Sequence, residues 1–160
     1  MPGQKELLDK EFRLNQFGPQ GEVESQVGTV LIKEKVHILK ASYDFAKQGG
    51  LQGTITLLGE DGKPAKLPSR AILKDVLIDV LTAPTSGGAA TIALSTGQSA
   101  NDVKAATAIA SYTGIVAGIP VGSAATSIKL TADRSPNMVV AVADLTAGKF
   151  NALFEYYFSD

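Results

Sequence analysis

The chain has no cysteine, no tryptophan and a single histidine. Without cysteine there are no disulfides and no thiolate metal sites. With His37 alone, the several imidazoles that a metal centre on a β-sandwich uses cannot be assembled. Without tryptophan the chain lacks the broadest platform on which a sugar ring stacks. No run of about 18 apolar residues occurs, so no helix long enough to cross a bilayer is expected. The opening MPGQKELLDKEF is charged and has no apolar h-region, so no secretory signal is expected. A net charge of −1 leaves no concentrated basic surface, which argues against nucleic acid as the main partner.

What remains is 160 residues, 44% of them hydrophobic. A chain of that size buries roughly two-thirds of its surface and supports its own core. Two parts are expected, an arm over residues 1–28 and a β domain over 29–160. In the arm, Lys5 to Leu14 has the spacing of a short helix, and Gly18, Pro19 and Gly21 then break regular structure. Leu7, Leu8, Phe12, Leu14 and Phe17 are apolar side chains in an otherwise polar arm, which marks them as candidate partner-binding residues.

The central stretch is Arg70 to Leu94, which reads as two strands joined by a turn at Pro84, Gly87 and Gly88. Its period-two pattern sets Ile72, Val76, Ile78 and Val80 on one face, interrupted by Lys74, against Leu73, Asp75, Leu77, Asp79 and Leu81 on the other. Earlier, Thr29 to Phe45 alternates with a shift near Lys40 that predicts a bulge or a break. Gly53 to Gly59 reads as a strand, and Glu60 to Pro64 as a turn with Gly62 at positive φ. Ser99 to Asp102 has the pattern of a helix N-cap, so a short helix is expected up to Tyr112. Ala125 to Ala132 and Met138 to Ala143 read as strands, Leu145 to Gly148 as a turn, and Lys149 to Phe158 as a closing strand. That last strand carries Phe150, Phe154, Tyr156 and Phe158 on one face. Short strands separated by turn chemistry give an all-β class: an antiparallel β-sandwich or jelly-roll-like domain with an N-terminal arm and one short helix.

No convergent catalytic set emerges. His37 fits a strand histidine at a sheet face better than the base of a Ser-His-Asp arrangement. Asp75 and Asp79 share a face and have the spacing to flank a cation or a sugar, yet they straddle Leu77 with no aromatic beside them. A solvated edge or a salt bridge to another subunit fits them better. Gly49-Gly50 and Gly87-Gly88 lack the residues of a phosphate loop and read as hairpin turns. Gly59, Asp61 and Lys63 lack the acidic ladder of a calcium loop. No metal or cofactor is expected. More informative is a gap in charge: between Ala83 and Ile128 only Asp102 and Lys104 are charged. So uncharged a surface is packed against the fold or covered by another subunit.

Four segments carry a resemblance. They are Ala41 to Gly50, Asp79 to Leu94, Ile128 to Asp133 and Ala143 to Phe150. In that order they resemble a family of small virion structural proteins of tailed bacteriophages, of the head-decoration type. The resemblance implies a non-enzymatic β-sandwich on the particle, made in the host bacterial cytoplasm and carried in the virion. It further implies a capsid decoration or cement protein, a homotrimer whose partner is the major capsid protein, with neither nucleic acid nor membrane as partner. The alternative is a tail or fibre adsorption module that binds host surface glycan, and Tyr112, the one aromatic of the uncharged stretch, is where such a groove would show.

Overall fold

Two long strands form the spine. β3 (Ala71–Ser86) and β8 (Leu145–Phe158) pair antiparallel along most of their length, from Ala71 opposite Phe158 to Ser86 opposite Leu145. The computed structural model describes residues 36–118 and 128–158. The candidate arm and its five apolar residues lie outside the described residues, as do Thr29 to Lys35 and the first part of the strand expected from Ala125.

β1 (His37–Asp44) flanks β8 on its other side. β6 (Ile115–Ala117) flanks β3, giving a first sheet in the order β1-β8-β3-β6. The second sheet is β2 (Gly53–Thr56), β7 (Asn137–Ala141), β4 (Thr91–Ser95) and β5 (Lys104–Ala108), in the order β2-β7-β4-β5. All pairings are antiparallel. The expected β-sandwich is therefore the observed one. Taken rank by rank, each strand of one sheet is joined to its counterpart in the other: β1 to β2, β8 to β7, β3 to β4 and β6 to β5.

Alternation along each strand sends one set of side chains inward. Tyr43, Val76, Ile78, Phe150 and Phe154 from the first sheet share one buried core with Ile92, Leu94, Met138 and Val140 from the second. Tyr43 and Phe150 lie with ring centroids 5.4 Å apart. The Tyr43 hydroxyl donates to the Gly49 carbonyl at 2.7 Å, which satisfies a polar group that burial would otherwise penalise.

Several local expectations change. In β3 the ladder slips between Leu73 and Asp75, so Leu73 is buried rather than Ile72, and inward parity resumes at Val76. The expected shift near Lys40 is absent, since β1 pairs with β8 without interruption from His37 to Asp44. Its second apolar parity is explained by exposure, with Ile38 63% exposed. In place of the helix expected after Ser99 there is a loop, then β5 and a 3-10 turn at Ile109–Ser111. The Asp102 carboxylate accepts from the Thr96 N–H at 2.7 Å and the Thr96 hydroxyl at 2.6 Å, so it closes that loop instead of capping a helix. The alanines that follow pair with β4, where the ladder outweighs helix propensity. Among the described residues the one α-helix is α1 (Phe45–Gln48), N-capped by Asp44, whose carboxylate accepts from the Ala46 N–H.

The turn expected at Leu145 to Gly148 is already strand. The chain reverses earlier, where Val142 adopts φ 73°. The Gly49-Gly50 and Gly87-Gly88 turns are not hairpins, because each lies on a connection that passes from one sheet to the other. Gly62 is at positive φ, 74°, as its turn requires.

Candidate interaction surfaces

The positions where catalytic chemistry was sought are occupied by structure. His37 is exposed at the start of β1, stacked on Tyr156 with centroids 5.5 Å apart and edge-on to Phe158 at 5.0 Å. Asp75 accepts from the Val76 N–H at 2.7 Å, satisfying the backbone where β3 slips. Asp79 sits in register between Asn151 and Ile115. Lys74, next to the slip, pairs with Glu155 at 3.1 Å, a contact that raises the lysine pKa. Among the described residues no group of three or more His, Asp or Glu gathers as metal ligands would.

Part of the uncharged stretch, residues 104–117, forms one margin of the sandwich. β5 and β6 are the edge strands of their sheets, joined through the 3-10 turn. The two charges of the stretch are engaged locally. Asp102 is spent on Thr96, and the Lys104 ammonium lies 5.7 Å from the centroid of the Tyr112 ring. Ala105, Ala106, Ala108 and Ala117 are exposed, and Ile115 is 75% exposed. On neighbouring β3, Leu77 lies opposite Ala117, and Leu81, also exposed, lies a few residues further along the strand. The result is a largely apolar surface, with Asp79 in register with Ile115, beside two strands that are sheet edges among the described residues.

Tyr112 does not contribute to that surface. It is fully buried, and its hydroxyl donates to the Ile92 carbonyl at 3.1 Å. Burial pushes its pKa well above the ordinary tyrosine value. The aromatic expected in a glycan groove is therefore a core residue.

The opposite margin differs in chemistry. Leu58 pairs with Ser42 of β1, and the hairpin from Leu57 to Ala65 then turns away at Gly59 to Gly62. A cleft of about 970 Å³ opens between Ile38, Leu39 and Lys40 on one side and the far limb of the hairpin on the other. Lys40 reaches Glu60 across it at 3.3 Å. Beside it, Lys149 pairs with Asp44 at 3.0 Å, and this bond holds the Asp44 carboxyl below its usual pKa. The cleft was not anticipated from the sequence. Its residues look like an ordinary turn, and only the divergence of the hairpin from β1 creates the space.

No known protein-family model matches the chain, and no characterised protein sequence matches it. Solved structures do. A chain in the capsid asymmetric unit of cyanophage Pam1 superposes with a TM-score of 0.55 at 18% identity, over 88% of this chain and 96% of that one. A chain in the capsid of Ralstonia phage GP4 gives 0.53 at 21% identity, over 88% and 94%. One in the acid-stable capsid of Helicobacter pylori bacteriophage KHP30 gives 0.54 at 14%, over 78% and 89%. The chain shares its fold with components of phage capsids. Since each match spans nearly all of the similar chain, the likeness is to whole proteins of comparable length rather than to a domain inside a larger one.

Proposed function

We propose that this chain is a non-enzymatic structural protein of a phage virion, a decoration or cement protein that binds an assembled capsid shell and stabilises it. The observation that carries this reading is the whole-chain fold likeness to capsid components of comparable length. The largely apolar β5–β6 margin supports it, because such a surface is suited to lasting burial against another subunit. We assign that margin to self-association as a homotrimer, and the shell contact to the arm, with the major capsid protein as partner. At roughly 25 cal/mol per Å², burying three of Leu7, Leu8, Phe12, Leu14 and Phe17 contributes several kcal/mol before the cost of ordering the segment. Three arms on one trimer then multiply a modest contact through effective concentration.

The test is to add the purified chain to shells that lack it, and to measure its copy number and position by electron cryo-microscopy. Saturable binding at regular positions over the shell supports the reading, and binding confined to the tail or to host cells overturns it. Leu8→Asp with Phe12→Asp should weaken shell binding and leave the melting temperature unchanged. Ile115→Asp with Leu81→Asp should give a folded monomer in sedimentation.

A further inference from the structure

From the cleft beside β1 we infer a docking site for an extended segment of another protein, one that alternates acidic and apolar side chains and adds a strand to the first sheet. The inference does not depend on the capsid reading.

The backbone sets the first requirement. β1 is the outermost strand of its sheet, and Ser42 directs both its N–H and its C=O away from β8, to Leu58, at 2.7 and 2.9 Å. In an antiparallel pair, groups facing one side recur at every second residue. Ile38 and Lys40 therefore present their N–H and C=O on the same free side as Ser42. Continuing the Leu58 limb would have paired Lys40 with the backbone of residue 60. Instead the chain turns there, with the Gly59 N–H donating to Lys63 and the Gly62 N–H to Gly59. Among the described residues nothing else bonds that edge, and the cleft beside it exposes the donor–acceptor row that an added strand uses.

Side chains specify the occupant. Successive residues of an added strand point alternately to the two faces of the sheet. On one side they meet Leu39, half-buried, and the buried Ala65, which favours small or branched apolar groups. On the other they meet Lys40 and the exposed Ile38. Three lysines, Lys40, Lys63 and Lys66, line the cleft against two carboxylates; Lys40 is paired with Glu60, Asp61 keeps its charge while accepting from the Lys63 N–H, and Lys63 and Lys66 are exposed with no ion-pair partner among the described residues. Lys47, in the adjoining hollow that shares Lys40 and Glu60, makes no direct ion pair among them, though its charge acts on Asp44. The surplus is cationic, so carboxylates complement it.

The probe is a fluorescent peptide, acetyl-EVEVEVE-amide, titrated into the full chain, with amide chemical shifts recorded on isotope-labelled protein. Expected are shifts confined to Ile38–Ser42 and Gly59–Lys66. The Lys63→Glu/Lys66→Glu variant should bind about tenfold more weakly, since each exposed ion pair is worth up to about fivefold. The same variant should bind KVKVKVK more tightly. The EVEVEVE peptide N-methylated at its third and fifth residues keeps the charge but loses two N–H groups that face β1, so it should also bind about tenfold more weakly. Equal affinity for the N-methylated peptide would reduce the effect to non-specific charge attraction and overturn the proposal. So would unchanged affinity of the double variant at an unchanged melting temperature, or no shifts at millimolar peptide. Shifts of the same amides on diluting the protein alone would make the occupant a second copy and overturn it too.

Discussion

Removing the Phe154 ring tests whether β8 is the spine of the fold. Phe154 is fully buried, in register between Leu39 of β1 and Val76 of β3. A buried aromatic removes roughly 150–250 Å² from water, worth about 4–6 kcal/mol at about 25 cal/mol per Å². Alanine keeps a fraction of this, while the cavity left between two long strands adds a cost. The expected loss for Phe154→Ala is thus about 3–5 kcal/mol. Total stabilities are about 5–15 kcal/mol, so the variant stays folded except near the lower end of that range. In a chain of this size each kcal/mol moves the melting temperature by roughly 2–4 °C, so calorimetry should record a fall of about 6–20 °C. Phe158 shares the strand but is 41% exposed at its end, and Phe158→Ala should cost less than about 1.5 kcal/mol. If the two variants melt together, or Phe154→Ala lies within about 2 °C of the parent, using about 2–4 °C per kcal/mol as the scale, the assignment of this face to the core is wrong.

Tyr112→Phe deletes the hydroxyl that donates to Ile92 and should lower stability by about 1–2 kcal/mol in urea unfolding. Gly50→Ala places a Cβ 2.7 Å from Leu145 and 2.9 Å from the Phe45 ring, and should cost about 1–3 kcal/mol. Gly87→Ala meets nothing within 4 Å and should be near neutral by the same assay. Burial first, and the Asp44 charge second, push the Tyr43 pKa up to about 12. A raised pKa means that the folded state holds its proton longer than the unfolded state. The resulting stability is complete below about pH 10 and is lost as pH rises towards 12. The alkaline melting curve of Tyr43→Phe should fall less steeply across that window.

Fold class was legible in the sequence because strand patterns are local. Phe150 and Phe154 announced a buried face, and Gly62 announced its turn. Partner strands were not legible. Gly87-Gly88 reverses the chain with the same residues whether the next strand pairs beside the last one or in the facing sheet, and that choice depends on β8, more than fifty residues away. The alanines after Asp102 suit a helix by propensity, and only pairing with β4 makes them an edge strand. At Lys74 the slip of β3 exchanges Leu73 for Ile72 in the core, a one-residue change that alternation cannot resolve when both faces carry aliphatic side chains. Of the surfaces, the uncharged margin could be read directly from composition. The cleft could not, since it is a space between backbone segments.

The two margins of the sandwich handle exposed strand edges in opposite ways, and salt should separate them. Soluble proteins guard such edges with charge, lysine above all. The β1 margin does so with Lys40, Lys63 and Lys66, whereas the β5–β6 margin carries alanine, threonine, valine and isoleucine and a single lysine, Lys104, whose ammonium lies by the Tyr112 ring. An apolar contact strengthens or holds as salt rises, and a contact built on exposed ion pairs is screened once the Debye length falls from about 10 Å at 0.1 M to about 3 Å at 1 M. Raising sodium chloride over that range should therefore leave the proposed oligomer intact in sedimentation while releasing EVEVEVE from the cleft. If the oligomer dissociates at high salt, charge holds it together. The apolar β5–β6 margin then cannot be its interface.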